Sequence, residues 1–315
     1  MARRNPVAFP SSSSQHGGFL FRLLRRLLIL VGVLSIVLAG VGGALTYYVI
    51  TRQSWQEAVT PQSYLLSSYV PLNFTDRSGG EHDGWLLLGL RRAPVIILSH
   101  GYNSNRSDLL SLGAILRDNH YNVYIFNFHG AKAKESYSTL GPRQAVDLEA
   151  AIETVTRQPE INAKRVGLFG TSVGAYATLL AAEANPKVQA LAVDSVYPAP
   201  ERLFDMEIDD LLGGSSKPFR VLTEAEFHLF MLGTKSTPMP ANLSRLEGIP
   251  KLFISGRDDP DMAGLTQDIY RAAPQPKQLQ AMENSLAGLT SVGEKKAYEE
   301  MILNFFLQNL PLHAD

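Results

Sequence analysis

The sequence predicts an α/β fold in which a mainly parallel sheet carries helices on both faces and a helical cap insertion, preceded by one transmembrane helix. From about residue 60 onward, short apolar runs of strand length alternate with helical patterns, which is typical of a parallel sheet. Upstream, Leu27–Ile50 is an uncharged and mostly apolar run. That run is long enough to cross a bilayer core of about 30 Å as a helix.

Composition excludes several classes of function. The chain has 315 residues, of which 45% are hydrophobic and 19% charged, enough to bury one large core or two small ones. A net charge of −1 offers no electrostatic footprint for nucleic acid, so no nucleic-acid partner is predicted. The absence of cysteine excludes disulfides, thiolate metal sites and cysteine nucleophiles. No G-x-x-x-x-G-K-[ST] loop occurs, and we predict neither a cofactor nor a metal.

The N-terminal segment predicts an anchored protein. Residues 1–26 hold five arginines, a serine run and little to bury, which indicates a disordered basic tail. Because those arginines precede the apolar run, the positive-inside rule puts the tail in the cytoplasm and the domain of residues 60–315 outside it. We therefore expect a single-pass protein of the cell membrane, held there by Leu27–Ile50 with its C-terminal domain extracytoplasmic.

A cleaved signal peptide is the alternative interpretation of the apolar run. Gly42-Gly43-Ala44 supplies the small residues that a cleavage site needs. Against cleavage, the apolar run continues past that point to Ile50, which favours an uncleaved signal anchor. Both interpretations export the rest of the chain.

The exported domain is predicted to contain seven strands and four main helices. Each strand is a short run rich in apolar residues, and the helix over 144–156 places Ala145, Leu148, Ile152 and Val155 on one face. The predicted strands are 85–90, 95–99, 122–128, 166–169, 188–193, 251–255 and 277–281, and the predicted helices are 144–156, 175–183, 261–272 and 294–308. Residues 196–248 break the alternation with helical pieces, which is the usual position for a cap over an active site, although such an insertion also serves as surface packing.

One pentapeptide joins a predicted strand to a predicted helix. Gly170-Thr171-Ser172-Val173-Gly174 matches G-x-S-x-G in the strand-to-helix context that this motif needs. A serine on so tight a turn adopts strained backbone angles, and glycines on either side avoid clashes with strand and helix. The turn lifts the Ser172 Oγ above the sheet, while the Val173 amide at the helix N-terminus points at any anion formed there.

Two further turns follow predicted strands: His100-Gly101-Tyr102 and Gly256-Arg257-Asp258-Asp259. With the pentapeptide between them, they make the chain over roughly 85–310 resemble the α/β-hydrolase superfamily, closest to its serine esterase, monoacylglycerol-lipase-like and peptidase-like branches. The resemblance implies a small-molecule ester or similar acyl substrate, with Ser172 as nucleophile and the Tyr102 and Val173 amides as oxyanion hole. It implies Asp259 as the acid, with Asp258 in reserve.

The histidine of that resemblance is missing. Relatives carry it between the last short strand and the final helix, where this chain has residues 282–293, with no histidine and with Leu286 at about the expected position. The only downstream histidine, His313, lies beyond the final helix. We therefore predict that Ser172 lacks an imidazole partner in the usual position.

The other basic residues leave alternatives open. His100, in its turn, is expected to be a structural histidine whose ring nitrogens are hydrogen-bonded. His82 and His120 are expected in loops. His129, at the carboxyl edge of the sheet, and His228, in the cap, are the candidates for a displaced base, and Lys132 and Lys134 raise a Ser–Lys arrangement.

Two functions follow. The first is a membrane-anchored serine hydrolase with an unconventional or displaced base, which the turns support. The alternative is a catalytically impaired hydrolase fold that binds a small ligand or a protein partner under its cap, which the missing histidine supports, because loss of one triad member costs about 10⁴ to 10⁶ in rate.

Overall fold

A computed structural model describes residues 15–52, 54, 56–64, 69–77, 79–128, 137–214, 216–234, 239 and 243–312. Its strands are β1 (Tyr69–Pro71), β2 (Phe74–Thr75), β3 (Glu81–His82), β4 (Gly84–Leu87), β5 (Val95–Ser99), β6 (Asn122–Phe126), β7 (Val166–Thr171), β8 (Val188–Asp194), β9 (Lys251–Gly256) and β10 (Lys277–Met282). Its α-helices are α1 (Gln15–Thr51), α2 (Leu110–Asp118), α3 (Pro142–Thr156), α4 (Val173–Ala184), α5 (Pro200–Leu212), α6 (Lys217–Phe230), α7 (Pro260–Ala272) and α8 (Val292–Asn309).

Eight strands form one sheet in the order β1-β4-β6-β5-β7-β8-β9-β10. Every pair from β6 to β10 is parallel, and only β1 and β4 pair antiparallel to their neighbours, so the predicted mainly parallel sheet is confirmed. From β5 the chain crosses to β6 on one side and then returns to β7 on the other. The strand order therefore reverses between β5 and β7, and open α/β sheets bind ligands at such a reversal, outside the carboxyl ends of the strands.

Helices cover both faces of the sheet, as predicted. Alternate residues of one strand point to opposite faces. Thus Ile97 packs in the cluster that contains Leu148 of α3, whereas Ile96 packs in the cluster that contains Ile302 of α8. These two apolar layers hold the central strands rigidly, and their carboxyl ends provide a fixed platform for the site.

The N-terminal helix α1 is one continuous helix of 37 residues. Residues 15–26 are helical, so the prediction of a disordered tail is wrong for them, and the remainder of that tail lies outside the described residues. By length and composition, Phe19–Thr51 could cross a membrane. The apolar run that predicted a transmembrane helix is therefore helical throughout its length.

The last turns of α1 pack against the domain. Gly42, Thr46, Val49 and Ile50 are buried and recur at helical spacing, so they share one face. The Ser138 N–H donates to the Ile50 carbonyl oxygen at 2.7 Å. This end of α1 is thus part of the domain's packing.

The predicted cap is confirmed as α5 and α6, which lie between β8 and β9. The Phe204 and Phe227 rings stack with centroids 4.5 Å apart and join the two helices. His82, expected in a loop, lies instead in β3, where it is buried and stacks on Phe74 of β2 at 4.5 Å. Such a two-residue pairing produces no apolar run in the sequence, and therefore gives no strand signal.

Candidate active site

Ser172 lies on the turn between β7 and α4, with φ 50° and ψ −114°. A residue other than glycine held at positive φ, outside the favoured regions, costs about 1–3 kcal/mol. The turn is held in place because the Ser172 N–H donates to the Asp194 carbonyl oxygen at 2.9 Å, at the end of β8. The strained serine that G-x-S-x-G predicts is therefore present, at the reversal point of the sheet.

The two flanking glycines are required by close backbone approach. A Cβ on Gly170 would overlap the carbonyl oxygen of Gly174, and a Cβ on Gly174 would overlap the carbonyl oxygen of Ser99 in β5. Backbone atoms cannot move aside as a flexible side chain can. The spacing of the motif is thus explained by the packing of α4 against β7 and β5.

The turn after β5 lies directly beside Ser172. A Cβ built on Gly101 would lie 3.5 Å from the Ser172 Cβ, so the next residue, Tyr102, is a close neighbour of the serine. Tyr102 and Val173 line a cavity of about 20 Å³, large enough for one water molecule. The Val173 amide is among the first N–H groups of α4, which have no partner within the helix. The two residues predicted for the oxyanion hole thus line one small cavity, although Ser172 is not among the residues that line it.

A larger cavity of about 710 Å³ opens over Ser172. Its size falls within the range of about 300–1,000 Å³ that is usual for small-molecule sites. The cap contributes apolar and acidic side chains from α5 to its wall: Leu203, Met206, Glu207 and Asp210. The cavity thus offers a roomy, partly apolar space next to the serine.

The predicted acid residues have different partners. Asp259 lines the large cavity, and its Oδ1 accepts the Met262 N–H at 2.9 Å, so it caps α7. Asp258 accepts both the N–H and the Oγ–H of Ser285, each at 2.8 Å. Of the two, it is Asp258 that contacts the loop where relatives carry their histidine.

A third carboxylate at this loop, Asp194, was not predicted. The Leu286 N–H at 2.8 Å and the Tyr298 hydroxyl at 2.6 Å both donate to its Oδ2. Burial raises the pKa of Asp194, and the bonds from Tyr298 and Leu286 oppose that shift. Its position in the sequence could have identified it as a candidate. Asp194 directly follows the apolar strand after the Ser172 helix, and such a residue lies at the carboxyl edge of the sheet.

Leu286 itself lines the large cavity together with Ser172. Among the described residues, no histidine lines that cavity. The predicted absence of an imidazole from the usual position therefore agrees with the geometry of the described site.

Two described histidines, His100 and His228, are not available as a base for Ser172. His100 Nδ1 is 2.9 Å from the Gly101 carbonyl oxygen, and its Nε2 accepts the Phe128 N–H at 3.2 Å, so both ring nitrogens are used. Burial lowers the pKa of His100 to about 4 and keeps it neutral. His228 is exposed, 3.9 Å from Glu201. His129, Lys132, Lys134 and His313 lie outside the described residues.

Glu207 is a second residue that the sequence analysis missed. Its carboxylate lines the cavity with Ser172, 3.8 Å from the Arg52 guanidinium. Burial raises the pKa of Glu207 to about 7, and Arg52 opposes that shift. An amphipathic helix carries many acidic residues, so only the packing of α5 over the site distinguishes this one.

The comparisons with known proteins agree with the architecture. No protein-family model matches the chain. The chain is 23% identical to the uncharacterized protein YfhR of Escherichia coli O157:H7 over 249 residues, which cover 76% of this chain and 81% of YfhR. It is similar to the Pyrococcus furiosus esterase Pf2001, with a TM-score of 0.60 and 18% identity over 82% of this chain and 98% of the esterase. It is also similar to the alpha/beta hydrolase GrgF from Penicillium sp. sh18, with a TM-score of 0.56 and 18% identity over 77% of this chain and 99% of GrgF.

Proposed function

The chain has the α/β-hydrolase fold, and we propose that it is a membrane-anchored serine hydrolase that acts through Ser172 on an ester or a related acyl substrate. The observation that carries this proposal is the backbone of Ser172, held at φ 50° and ψ −114° over a cavity of about 710 Å³. A pure structural module has no need of that strain. The esterase Pf2001, whose fold this chain shares, supports the ester as substrate class.

The proposed reaction uses Ser172 and the two amides beside it. The Ser172 hydroxyl attacks the acyl carbon, and the amides of Tyr102 and Val173 donate to the oxyanion that forms. Each such donor is worth about 2.7–4 kcal/mol in well-studied hydrolases. The alcohol leaves with a proton, and water then releases the acyl group from Ser172.

We assign the base to Glu207. An ordinary carboxylate, with a pKa of about 4, is a weak base toward an alcohol. Glu207 differs because burial raises its pKa to about 7, close to the working pH at which proton transfer is most efficient. Glu207 lines the same cavity as Ser172, which supports the assignment.

The membrane placement is part of the same proposal. Helix α1 acts as an uncleaved signal anchor with its N-terminus in the cytoplasm and the hydrolase domain outside. The packing of Gly42 against Glu226 of the cap supports retention, because cleavage after Ala44 would remove that contact.

The test is hydrolysis of a short-chain p-nitrophenyl ester by the full-length protein in detergent. We expect turnover by the native protein, loss of turnover in Ser172→Ala, and retention in Ser195→Ala. Ser195 is the matched control because it lines the same cavity while its hydroxyl donates to Asp194 at 2.9 Å. Equal rates in native protein and Ser172→Ala would contradict the proposal.

A second candidate function rests on Leu286, which occupies the expected histidine position. In this case the fold binds a small apolar ligand or a protein partner beneath its cap without turnover. Absence of ester hydrolysis over a range of chain lengths, together with a rise in thermal stability on adding a non-hydrolysable acyl ether, would favour this function.

A further inference from the structure

A second cavity, of about 530 Å³, lies between α1 and the cap and shares no lining residue with the cavity over Ser172. We call it the anchor groove. One wall is Leu38 and Val41 of α1, and the other is formed around the junction of α5 and α6. The described residues of that second wall are Leu212, Gly214, Ser216, Pro218, Phe219 and Leu222. No charged side chain is among these lining residues.

The position of the anchor groove along α1 determines its surroundings. If the membrane span begins at Leu27, Leu38 and Val41 lie about 17 Å and about 21 Å along the helix axis, at 1.5 Å per residue. A bilayer core is about 30 Å thick, so both residues lie inside it, nearer the outer boundary. The groove therefore opens within the hydrocarbon of the outer leaflet.

We propose that the anchor groove binds an acyl chain of an outer-leaflet membrane lipid. This inference rests on the membrane placement proposed above, and not on the chemistry of Ser172. An acyl chain gains contact with the aliphatic and aromatic walls. The cap takes the place of lipid along one side of α1, and the bound acyl chain fills the space that would otherwise remain empty between helix and cap.

The outer surface of the cap supports immersion at this level. Several of its large apolar side chains are exposed in the structure: Leu211, Leu212, Val221, Leu229 and Leu232, the last with 76% of its surface accessible. Where exposed apolar side chains form a large patch, they mark a membrane or protein contact site. Two cations lie near the groove. Arg220 pairs with Asp209 at 2.5 Å, and Lys217, between the lining residues Ser216 and Pro218, is exposed.

The contact between α1 and α6 is also compatible with a low-dielectric setting. Glu226 faces α1 so closely that a Cβ on Gly42 would lie 2.5 Å from its Oε2. Burial at this helix–helix contact raises the pKa of Glu226. The cap therefore lies in close contact with α1 at this level of the helix.

The absence of cysteine makes a direct test simple, since each single-cysteine variant carries one label. Full-length Leu222→Cys is spin-labelled and reconstituted in phospholipid vesicles, and its accessibility to oxygen, which concentrates in lipid, is compared with that to a water-soluble nickel chelate. Leu30→Cys reports the span, and Glu300→Cys reports exposed α8. We expect the label at Leu222 to favour oxygen several-fold, as at Leu30, and the label at Glu300 to favour nickel.

Occupancy is tested on the same variant with a benzophenone on Cys at position 222. Irradiation should give a phospholipid adduct, seen as a mass shift of the protein. If the label at position 222 is more accessible to nickel while the label at position 30 is more accessible to oxygen, the lipid site is wrong and the membrane anchor stands. If the label at position 30 is more accessible to nickel, the membrane anchor itself is wrong. A label at position 222 that is shielded from both oxygen and nickel and shows spin–spin broadening would indicate a second copy of the chain in the groove. A benzophenone adduct to a second protein chain would indicate the same, and either result would overturn the proposal.

Discussion

Leu286 is the residue that most sharply separates a working hydrolase from an impaired one. Its backbone N–H is 2.8 Å from Asp194 Oδ2, and its neighbour Ser285 bonds to Asp258. A histidine here would have the carboxylates of Asp194 and Asp258 beside its own loop and would line the cavity of Ser172. We therefore expect Leu286→His to increase the rate of Ser172 modification by a fluorophosphonate, by up to about 10²-fold, the lower range for a positioned general base.

The matched control for that change is Leu289→His, at another leucine of the cavity wall. It should leave the rate unchanged, because no carboxylate contact to residue 289 is seen in the described part of the chain. An equal increase in the modification rate of both variants would show that any added imidazole has this effect. That result would contradict the claim that position 286 is the one from which a histidine serves Ser172.

The proposal that Glu207 is the base predicts that the reaction depends on pH in a definite direction. The base is active when deprotonated, and its pKa is raised to about 7, so the rate should rise through about pH 7 and level off above it. Glu207→Gln should be slow and flat over this range. A pH–rate profile of the two forms measures this. Asp210→Asn, on the same helix and cavity, removes a negative charge that raises the pKa of Glu207, so it should move the midpoint to lower pH and keep the rate on the plateau. A profile unchanged by Glu207→Gln would exclude Glu207 as the base.

At the level of single residues, sequence predicts what is local. Ser172 and its glycines are five adjacent residues whose strain arises from their own turn. Asp194 and Leu286 are 92 residues apart, and only the sheet order brings them into contact. Glu207 is equally non-local, because its burial depends on how α5 lies over the site.

At the level of elements, the turn between β7 and α4 gives a stability prediction. Gly174→Ala places a Cβ against the Ser99 carbonyl, so we expect a loss of about 1–3 kcal/mol in the free energy of unfolding, as for overpacking elsewhere. Urea unfolding followed by circular dichroism measures it. Gly264→Ala on α7, where a Cβ has open space, is the control and should stabilise by about 0.5–1 kcal/mol. Similar effects in both variants would contradict the packing explanation.

Most elements of the domain could be predicted because their patterns are local. The buried strands β5, β7, β8 and β9 are apolar runs, and α3 shows its apolar face in the sequence. The start of α1 was missed because its arginines lower the apolar content without preventing a helix. The ribbon of β2 and β3 was missed because a strand of two residues has no period to detect.

For the whole molecule, the anchor and the active site are connected. The Tyr102 hydroxyl donates to the Val49 carbonyl oxygen at 2.8 Å, and Arg52, after α1, pairs with Glu207. The end of the proposed anchor thus touches both the oxyanion turn and the proposed base. Neither contact has a signal in the sequence, since the partners are 53 and 155 residues apart along the chain.

The orientation of the molecule is a separate prediction. A reporter that works only outside the cytoplasm should be active when fused after Asp315, and a strictly cytoplasmic reporter should be silent there. The physical reason is the excess of arginine before Leu27. Membrane fractionation of the same fusion distinguishes the anchor from a cleaved signal, because release of the domain into the medium would show cleavage. Activity of the cytoplasmic reporter would reverse the orientation.

The central claim is that Ser172 is a nucleophile, and covalent modification tests it most directly. Full-length protein is exposed to a fluorophosphonate at about pH 8, above the pKa of Glu207, and the adduct is located by peptide mass spectrometry. We predict a single phosphonylated site at Ser172, abolished in Ser172→Ala and retained in Ser195→Ala. An unmodified Ser172 in folded protein, or an adduct on another serine of the cavity, would contradict the claim.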